Sequence, residues 1–238
     1  MKKIVLVVIA SVSVFSLSAQ NKKKIGFTSQ TGDHFMLQFT SDHWMGSTPD
    51  SIKSHMKGFA RGLNVYVMLD QRFKSNPKLS VAFGLGVSSS NIYFKNMNID
   101  LKSKTSKLPF SNLDTLNHFK KYKLATAFLE VPIELRFSSD PANDSKSIKA
   151  AVGFKVGTII NAHTKGKNLQ DAAGRTINSY TEKESARGFF NSTRIVATAR
   201  VGYGNFSLVA NYQLNNIFKD GVAPDVKLFQ IGLCVSGL

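Results

Sequence analysis

Apolar and polar residues alternate with a period of two along most of the chain. The clearest stretch is Phe128-Leu129-Glu130-Val131-Pro132-Ile133-Glu134-Leu135-Arg136-Phe137. Leu129, Val131, Ile133, Leu135 and Phe137 make one row, and Glu130, Glu134 and Arg136 lie in the other. Successive side chains of a β-strand point to opposite faces, so the pattern predicts a strand with one apolar and one charged face. Seven further segments read the same way. Phe35, Leu37 and Phe39 open the series; Phe59, Leu63, Val65, Val67 and Leu69 follow, then Leu79, Val81, Phe83, Leu85 and Val87. Beyond residues 128–137 come Val152, Phe154, Val156, Thr158 and Ile160, then Ile195, Ala197, Ala199, Val201 and Tyr203. Phe206, Leu208, Ala210, Tyr212 and Leu214, and last Phe229, Ile231, Leu233 and Val235, complete the set.

The connections between these eight predicted strands alternate in length. Residues 41–57, the polar stretches 91–121 and 164–188, and a last loop around Asp220-Gly221 and Pro224 are long, whereas the turns near 75–77, 138–147 and 204–205 are short. Gly204-Asn205 is a two-residue hairpin signal, which sets Tyr203 opposite Phe206 with both rings outward. Strands of about ten residues, an even strand count and long–short alternation are the signature of an outer-membrane barrel. The expectation is an all-β, eight-stranded antiparallel up-and-down transmembrane β-barrel, with 91–121 and 164–188 extracellular and 138–147 periplasmic.

A soluble barrel with an apolar ligand cavity shows the same alternation turned inside out. The non-apolar rows separate the two readings. They are dense in small residues: Gly58, Ala60, Gly62; Ser80, Ala82, Gly84, Gly86; Ala151, Gly153, Gly157, with Asn161 at the end of the last row. A water-facing surface has no need of them, and Gly weakens a strand. The crowded interior of an eight-stranded barrel does need them. Arg61, on the apolar face near a strand start, is placed to reach up to lipid headgroups.

The N-terminus changes the picture next. Met1-Lys2-Lys3, an apolar run over residues 4–15 and Ser16-Leu17-Ser18-Ala19 form a secretory signal peptide, giving residues 1–19 as leader and 20–238 as the barrel domain. The lone Cys234 excludes an internal disulfide scaffold. The net charge of +16 suggests nucleic acid in a cytoplasmic protein. In an exported chain whose basic residues sit between strands it implies a cationic cell surface instead.

Several stretches resemble a known family. Phe128-Leu129-Glu130-Val131-Pro132-Ile133 is similar to the [YF]LEIP[LI] strand of the PorT-like outer-membrane β-barrel domain found in Bacteroidota. Gly84-Leu85-Gly86, Ala151-Val152-Gly153-Phe154-Lys155-Val156-Gly157 and Leu228-Phe229-Gln230-Ile231-Gly232-Leu233 resemble its other strands. The resemblance implies location in the outer membrane of a diderm bacterium and leaves a role in a secretion complex open. Barrels of this type often end in an aromatic residue, whereas this chain ends in Leu238.

Little in the chain points to catalysis. His34, His43, His55, His118 and His163 lack metal-site spacing, so neither a metal nor another cofactor is expected. Asp42-His43-Trp44, with Ser41 beside it, imitates a lipid acyltransferase site, but a loop acid, a polar ring and an interfacial aromatic anchor are the simpler reading. Glu130, Glu134, Arg136, Lys155, Arg194 and Arg200 all fall on inward rows, where charges persist only when paired, and are expected to form a lumen ionic network. If the 138–147 turn is centred between Ala142 and Asn143, Glu130 pairs directly with Lys155. Pro132 lacks a ladder N–H and is expected to sit at a bulge or to have a lumen-side partner for the freed carbonyl. The function expected is a non-enzymatic outer-membrane protein with a plugged lumen. Its basic loops would bind outer-membrane lipid and lipopolysaccharide, a surface protein or a secretion-complex protein, and not nucleic acid. A small channel and a soluble-type ligand-binding barrel are the alternatives.

Overall fold

The structure, a computed structural model, describes residues 27–28 and 35–237, so the leader over residues 1–19 lies outside the described residues. The strands are β1 Phe27–Thr28, β2 Phe35–Gly46, β3 Arg61–Phe73, β4 Leu79–Phe94, β5 Met97–Ile99, β6 Phe110–Asn112, β7 His118–Ser138, β8 Ile148–Gln170, β9 Thr176–Ser185, β10 Thr193–Tyr203, β11 Phe206–Gln213 and β12 Val226–Ser236. One helical turn, α1, spans Asp50–Lys53. Eight strands run β2-β3-β4-β7-β8-β10-β11-β12 and close through β12 against β2, with every pairing antiparallel. Closure leaves no free sheet edge, so outside the interruption at Pro132 the backbone groups of the wall pair within the ring, which a hydrocarbon environment demands.

Side-chain exposure is the reverse of a soluble barrel's. Ile133, Phe154, Leu208 and Leu233 are 55–60% exposed, whereas Glu130, Lys155 and Arg194 are at most 2% exposed. This rules out the soluble barrel with an apolar cavity. The outward apolar row on β7 runs from Leu129 to Phe137, about 27 Å along the strand and roughly 21 Å along the barrel axis at a tilt of about 40°. That matches the apolar band of a membrane barrel. At the short-turn end Tyr203 pairs with Phe206 around Gly204-Asn205, and both rings are exposed. Gly204 sits at φ +57°, the left-handed conformation that this turn requires.

The long connections are more ordered than their polarity suggests. β2 continues to Gly46, so Ser41, Asp42 and His43 lie on a strand rather than in a loop. Over 91–121, β4 reaches Phe94, β5 pairs β6, and β7 already begins at His118. Over 164–188, β8 runs on to Gln170 and returns as β9, a hairpin outside the closed ring. Lys, Ser, Thr and Asn are compatible with a strand whose outward face meets water instead of lipid. The apolar residues buried on its inner face are what hold it.

Two register details also differ from the sequence reading. The β7–β8 hairpin turns one residue later than expected, around the 3₁₀ turn Asp144–Lys146, so Ser138 pairs with Lys149. Glu130 therefore faces Gly157, and Lys155 faces Pro132. The slip of two residues keeps both side chains on the lumen side. Pro132 is accommodated without a bulge. The β4–β7 pairing runs from Leu79↔Phe137 to Phe83↔Ile133 and resumes in the same register at Gly86↔Glu130. The ladder is interrupted where the proline has no N–H to give. The bulge lies higher, where Ala127 pairs with Asn161 and Phe128 with Ile159. The extra residue, Ile160, turns Asn161 outward, off the lumen row to which the alternation assigns it.

Candidate functional site

Two small-residue rows on β4 and β8 make room for the charged side chains. A Cβ on Gly86 would collide with the Tyr66 ring, and one on Gly157 would sit 2.6 Å from Glu130 Cγ. With that space kept open, long side chains cross the lumen instead of meeting their sheet neighbours.

Glu130 accepts hydrogen bonds from Arg194 Nη1 at 2.9 Å and from the Tyr66 hydroxyl at 2.6 Å. Arg194 also donates to Ser88 Oγ at 3.0 Å and Gln230 Oε1 at 3.2 Å, and its guanidinium lies 4.9 Å over the Phe128 ring. Glu134 Oε2 accepts from Arg136 Nε at 2.9 Å and Arg200 Nη2 at 3.1 Å. Arg200 reaches on to Ser236 Oγ, and Arg136 approaches Asp70 at 3.9 Å. Among the described residues Lys155 makes no direct bond to a carboxylate. Its ammonium donates to Asn211 Oδ1 at 2.9 Å, Gln38 Oε1 at 3.2 Å and the Tyr66 hydroxyl at 3.3 Å. The expected Glu130–Lys155 pair is thus replaced by a relay through Tyr66, because the later hairpin turn puts Gly157, not Lys155, across from Glu130.

The six charged residues picked out from the sequence therefore fall into two linked groups. Glu130, Arg194 and Lys155 surround Tyr66, and Arg136 and Arg200 grip Glu134. The acids Asp42 and Asp70 join them. Asp42 accepts from Thr40 at 2.6 Å and Gln230 at 2.9 Å. Asp42, Asp70, Glu130 and Glu134 balance Arg136, Lys155, Arg194 and Arg200 one for one. A buried network of this kind is tolerable because no charge is left without a counter-charge nearby. Sequence reasoning missed Tyr66, Gln38, Asn211 and Gln230. Their places on the inward rows were legible, but which of them meet depends on barrel diameter and stagger.

Above the polar network the lumen turns apolar. Phe94, Phe128, Leu124, Ile159, Phe190, Phe218 and Leu228 are buried together with Ile52 from α1 and Ile99 and Leu101 from the β5 region. Trp44 packs edge-on against Phe94 and Phe218, each at 5.7 Å between ring centres. This cap fills the long-loop mouth. Tyr122 ties β5 to the wall: its hydroxyl accepts from the Ile99 N–H at 2.9 Å and donates to Asn98 Oδ1. Burial, with Glu184 and Glu182 adding to it, pushes that phenol up to about 12. Asp114 accepts hydrogen bonds from Asn96 and pairs with His55 at 3.1 Å, which holds its carboxyl below the usual range and fastens the long loop to the segment after α1.

The Ser41-Asp42-His43 stretch divides between two faces. Ser41 Oγ lies 3.0 Å from His43 Nε2 on the outer face, while Asp42 points into the lumen. Strand alternation thus keeps the carboxylate from orienting the imidazole, and the arrangement is not a triad. His118 and His163 contact a carbonyl and an amide, and His34 lies outside the described residues. Among the described residues no group of three or more His, Cys, Asp or Glu is placed to hold a metal ion.

Residues 18–219 match the family described as Outer membrane protein beta-barrel domain. No curated protein matches the chain. Among solved structures, Ail, the attachment invasion locus protein of Yersinia pestis, is 13% identical, with 87% of this chain and 98% of that chain covered at a TM-score of 0.33. Neisserial surface protein A is 12% identical, with 87% and 99% covered and a TM-score of 0.33. With most of its length matched by the family, and with a closed eight-stranded barrel that is apolar outside and charged within, the chain belongs to the outer membrane protein beta-barrel domain family.

Proposed function

We propose that this chain is a non-enzymatic integral outer-membrane protein of the PorT-like type, exported through a leader cleaved near Ala19. Its barrel is a plugged scaffold that presents the long-loop end outside the cell. The observation that carries this reading is the doubly closed lumen: a charge-balanced network in the membrane segment and an apolar cap above it. The void between Trp44, Ser90, Phe128 and Gln213 is ≈ 10 Å³, and the one by Asp70, Arg136 and Arg200 is ≈ 30 Å³. Such spaces admit a water molecule or so and not a stream of solute. With transport and catalysis both disfavoured, binding at the surface remains. The partners proposed are outer-membrane lipid, lipopolysaccharide and a surface or secretion-complex protein.

The reading is tested by planar-bilayer recording on the purified, refolded chain. No unitary current steps are expected. Reproducible unitary steps would establish the small-channel alternative in its place.

The orientation is tested by adding trypsin to intact cells. Cleavage is expected first at Arg175, in the exposed tip between β8 and β9, and Lys146 is expected to be protected until the envelope is opened. Cutting at Lys146 alone in sealed cells would invert the topology.

A further inference from the structure

Above the apolar band, the outward faces of β7, β8 and β9 carry a row of lysines that the plug does not use. Lys123 pairs in register with Lys165, and Lys165 with Lys183. One step along the same face, Lys121 pairs with Lys167. Cross-strand neighbours of this kind have Cβ atoms about 5 Å apart. Glu182 and Glu184 alternate with Lys183 along β9 and so face the other side of the sheet, toward Tyr122. Among the described residues no carboxylate lies within ion-pairing distance of these five lysines. Lys123 Nζ instead donates to Asn91 Oδ1 at 2.6 Å and lies 6.0 Å over the Tyr93 ring.

Like charges set directly opposite on a sheet destabilise it. The crowding registers on the neighbours. Partial burial, then Lys165 and Lys183, hold the Lys123 ammonium below its usual range. Partial burial together with Lys183, Lys123 and Lys165 does the same to His163. A row that costs stability and meets no counter-charge among the described residues calls for an anion from outside.

We propose that Lys123, Lys165 and Lys183, flanked by Lys121 and Lys167, form a docking site for the phosphate groups of the glycolipid in the outer leaflet. The proposal rests on the outer-membrane reading above. Height selects the ligand. Lys123 lies six residues beyond Leu129, the last outward apolar side chain of the β7 band. At about 3.3 Å per residue and a tilt of about 40°, that is roughly 15 Å above the hydrocarbon edge. The headgroup layer of a phospholipid extends only about 5–8 Å beyond the hydrocarbon. A phosphorylated sugar headgroup reaches farther. Tyr93, beside Lys123, adds a ring face of the kind that sugars pack against.

The test titrates the full-length protein in zwitterionic micelles with fluorescent lipopolysaccharide, with the same material after chemical dephosphorylation, and with phosphatidylglycerol. The unaltered chain is expected to bind the phosphorylated form at least tenfold more tightly than either of the others. The Lys123→Gln, Lys165→Gln, Lys183→Gln variant is expected to lose that preference. A control that removes the same charge at the short-turn end, Lys74→Gln, Lys78→Gln, Lys146→Gln, is expected to keep it. With no glycolipid present, the first variant is expected to melt no lower than the unaltered chain, because repulsion has been removed. Equal binding of phosphorylated and dephosphorylated forms overturns the proposal on the unaltered chain alone, whatever the variants do. So does equal weakening by the two variants, or equal binding of phosphatidylglycerol. Envelope fractionation is read separately: a chain that sits in the outer membrane without this preference sinks only the lysine site, whereas one absent from that membrane sinks the reading beneath it.

Discussion

Replacing Arg194 with methionine is expected to lower the unfolding free energy of the barrel by about 3–5 kcal/mol, the range for removing one member of a buried ion pair. Arg194 is the only cation within ion-pairing distance of Glu130 among the described residues, at 2.9 Å. Without it the carboxylate keeps the Tyr66 hydroxyl, but Lys155 stays one hydrogen-bond step away on the far side of that hydroxyl. A buried charge with only neutral partners is far costlier than a neutral amide in the same place. The double variant Arg194→Met, Glu130→Gln is therefore expected to recover more than half of the loss. Urea unfolding in lipid vesicles, followed by tryptophan fluorescence, measures both. Trp44, the single tryptophan, reports from the cap immediately above the network. A double variant no more stable than the single one would show that Arg194 acts through packing, for example on Phe128, and not as a counter-charge.

The second large effect concerns the outer face. Phe154 is 59% exposed and pairs with Ile133, in the middle of the outward row between Leu129 and Phe137. An arginine at the bilayer midplane costs about 2–4 kcal/mol, falling to about 0–1 kcal/mol near the interface. Phe154→Arg is accordingly expected to destabilise the vesicle-embedded barrel by the larger amount. Phe206→Arg, at the short-turn rim, is expected to have an effect near zero. The same urea titration separates them. Equal effects at the two sites would mean that the apolar belt is not centred where the register puts it.

The expectations that held share a physical basis, and so do those that failed. The two faces of each membrane strand were legible because period-two alternation is a local property of the backbone. It assigns Glu130, Lys155 and Arg194 inward whichever residues they later meet. The Gly204-Asn205 turn was legible because two-residue hairpins admit few conformations and set their own register. The 138–147 turn has many ways to close, and an error of one residue at its centre moved every β7–β8 pair below the bulge by two. The long connections were misread as loops because their outward residues are polar. The apolar inner faces of β4, β7 and β8 above the band become visible only when Phe94, Phe128 and Phe218 are seen to meet across the mouth.

The amino-acid sequence by itself determined the strand count, the antiparallel order, the lipid and lumen faces and the list of charges that must be enclosed. All of these follow from alternation, turn chemistry and the cost of burying charge. Only the tertiary structure decided which charges pair. Arg194 and Glu130 are far apart in the chain and on strands that are not neighbours, so their contact depends on the diameter and stagger of the closed barrel. Closure likewise brings Trp44 to Phe218 and aligns Lys123, Lys165 and Lys183 on one face. A one-dimensional pattern carries the direction of each side chain. The distance between two of them on separate strands is set by the shape of the whole ring.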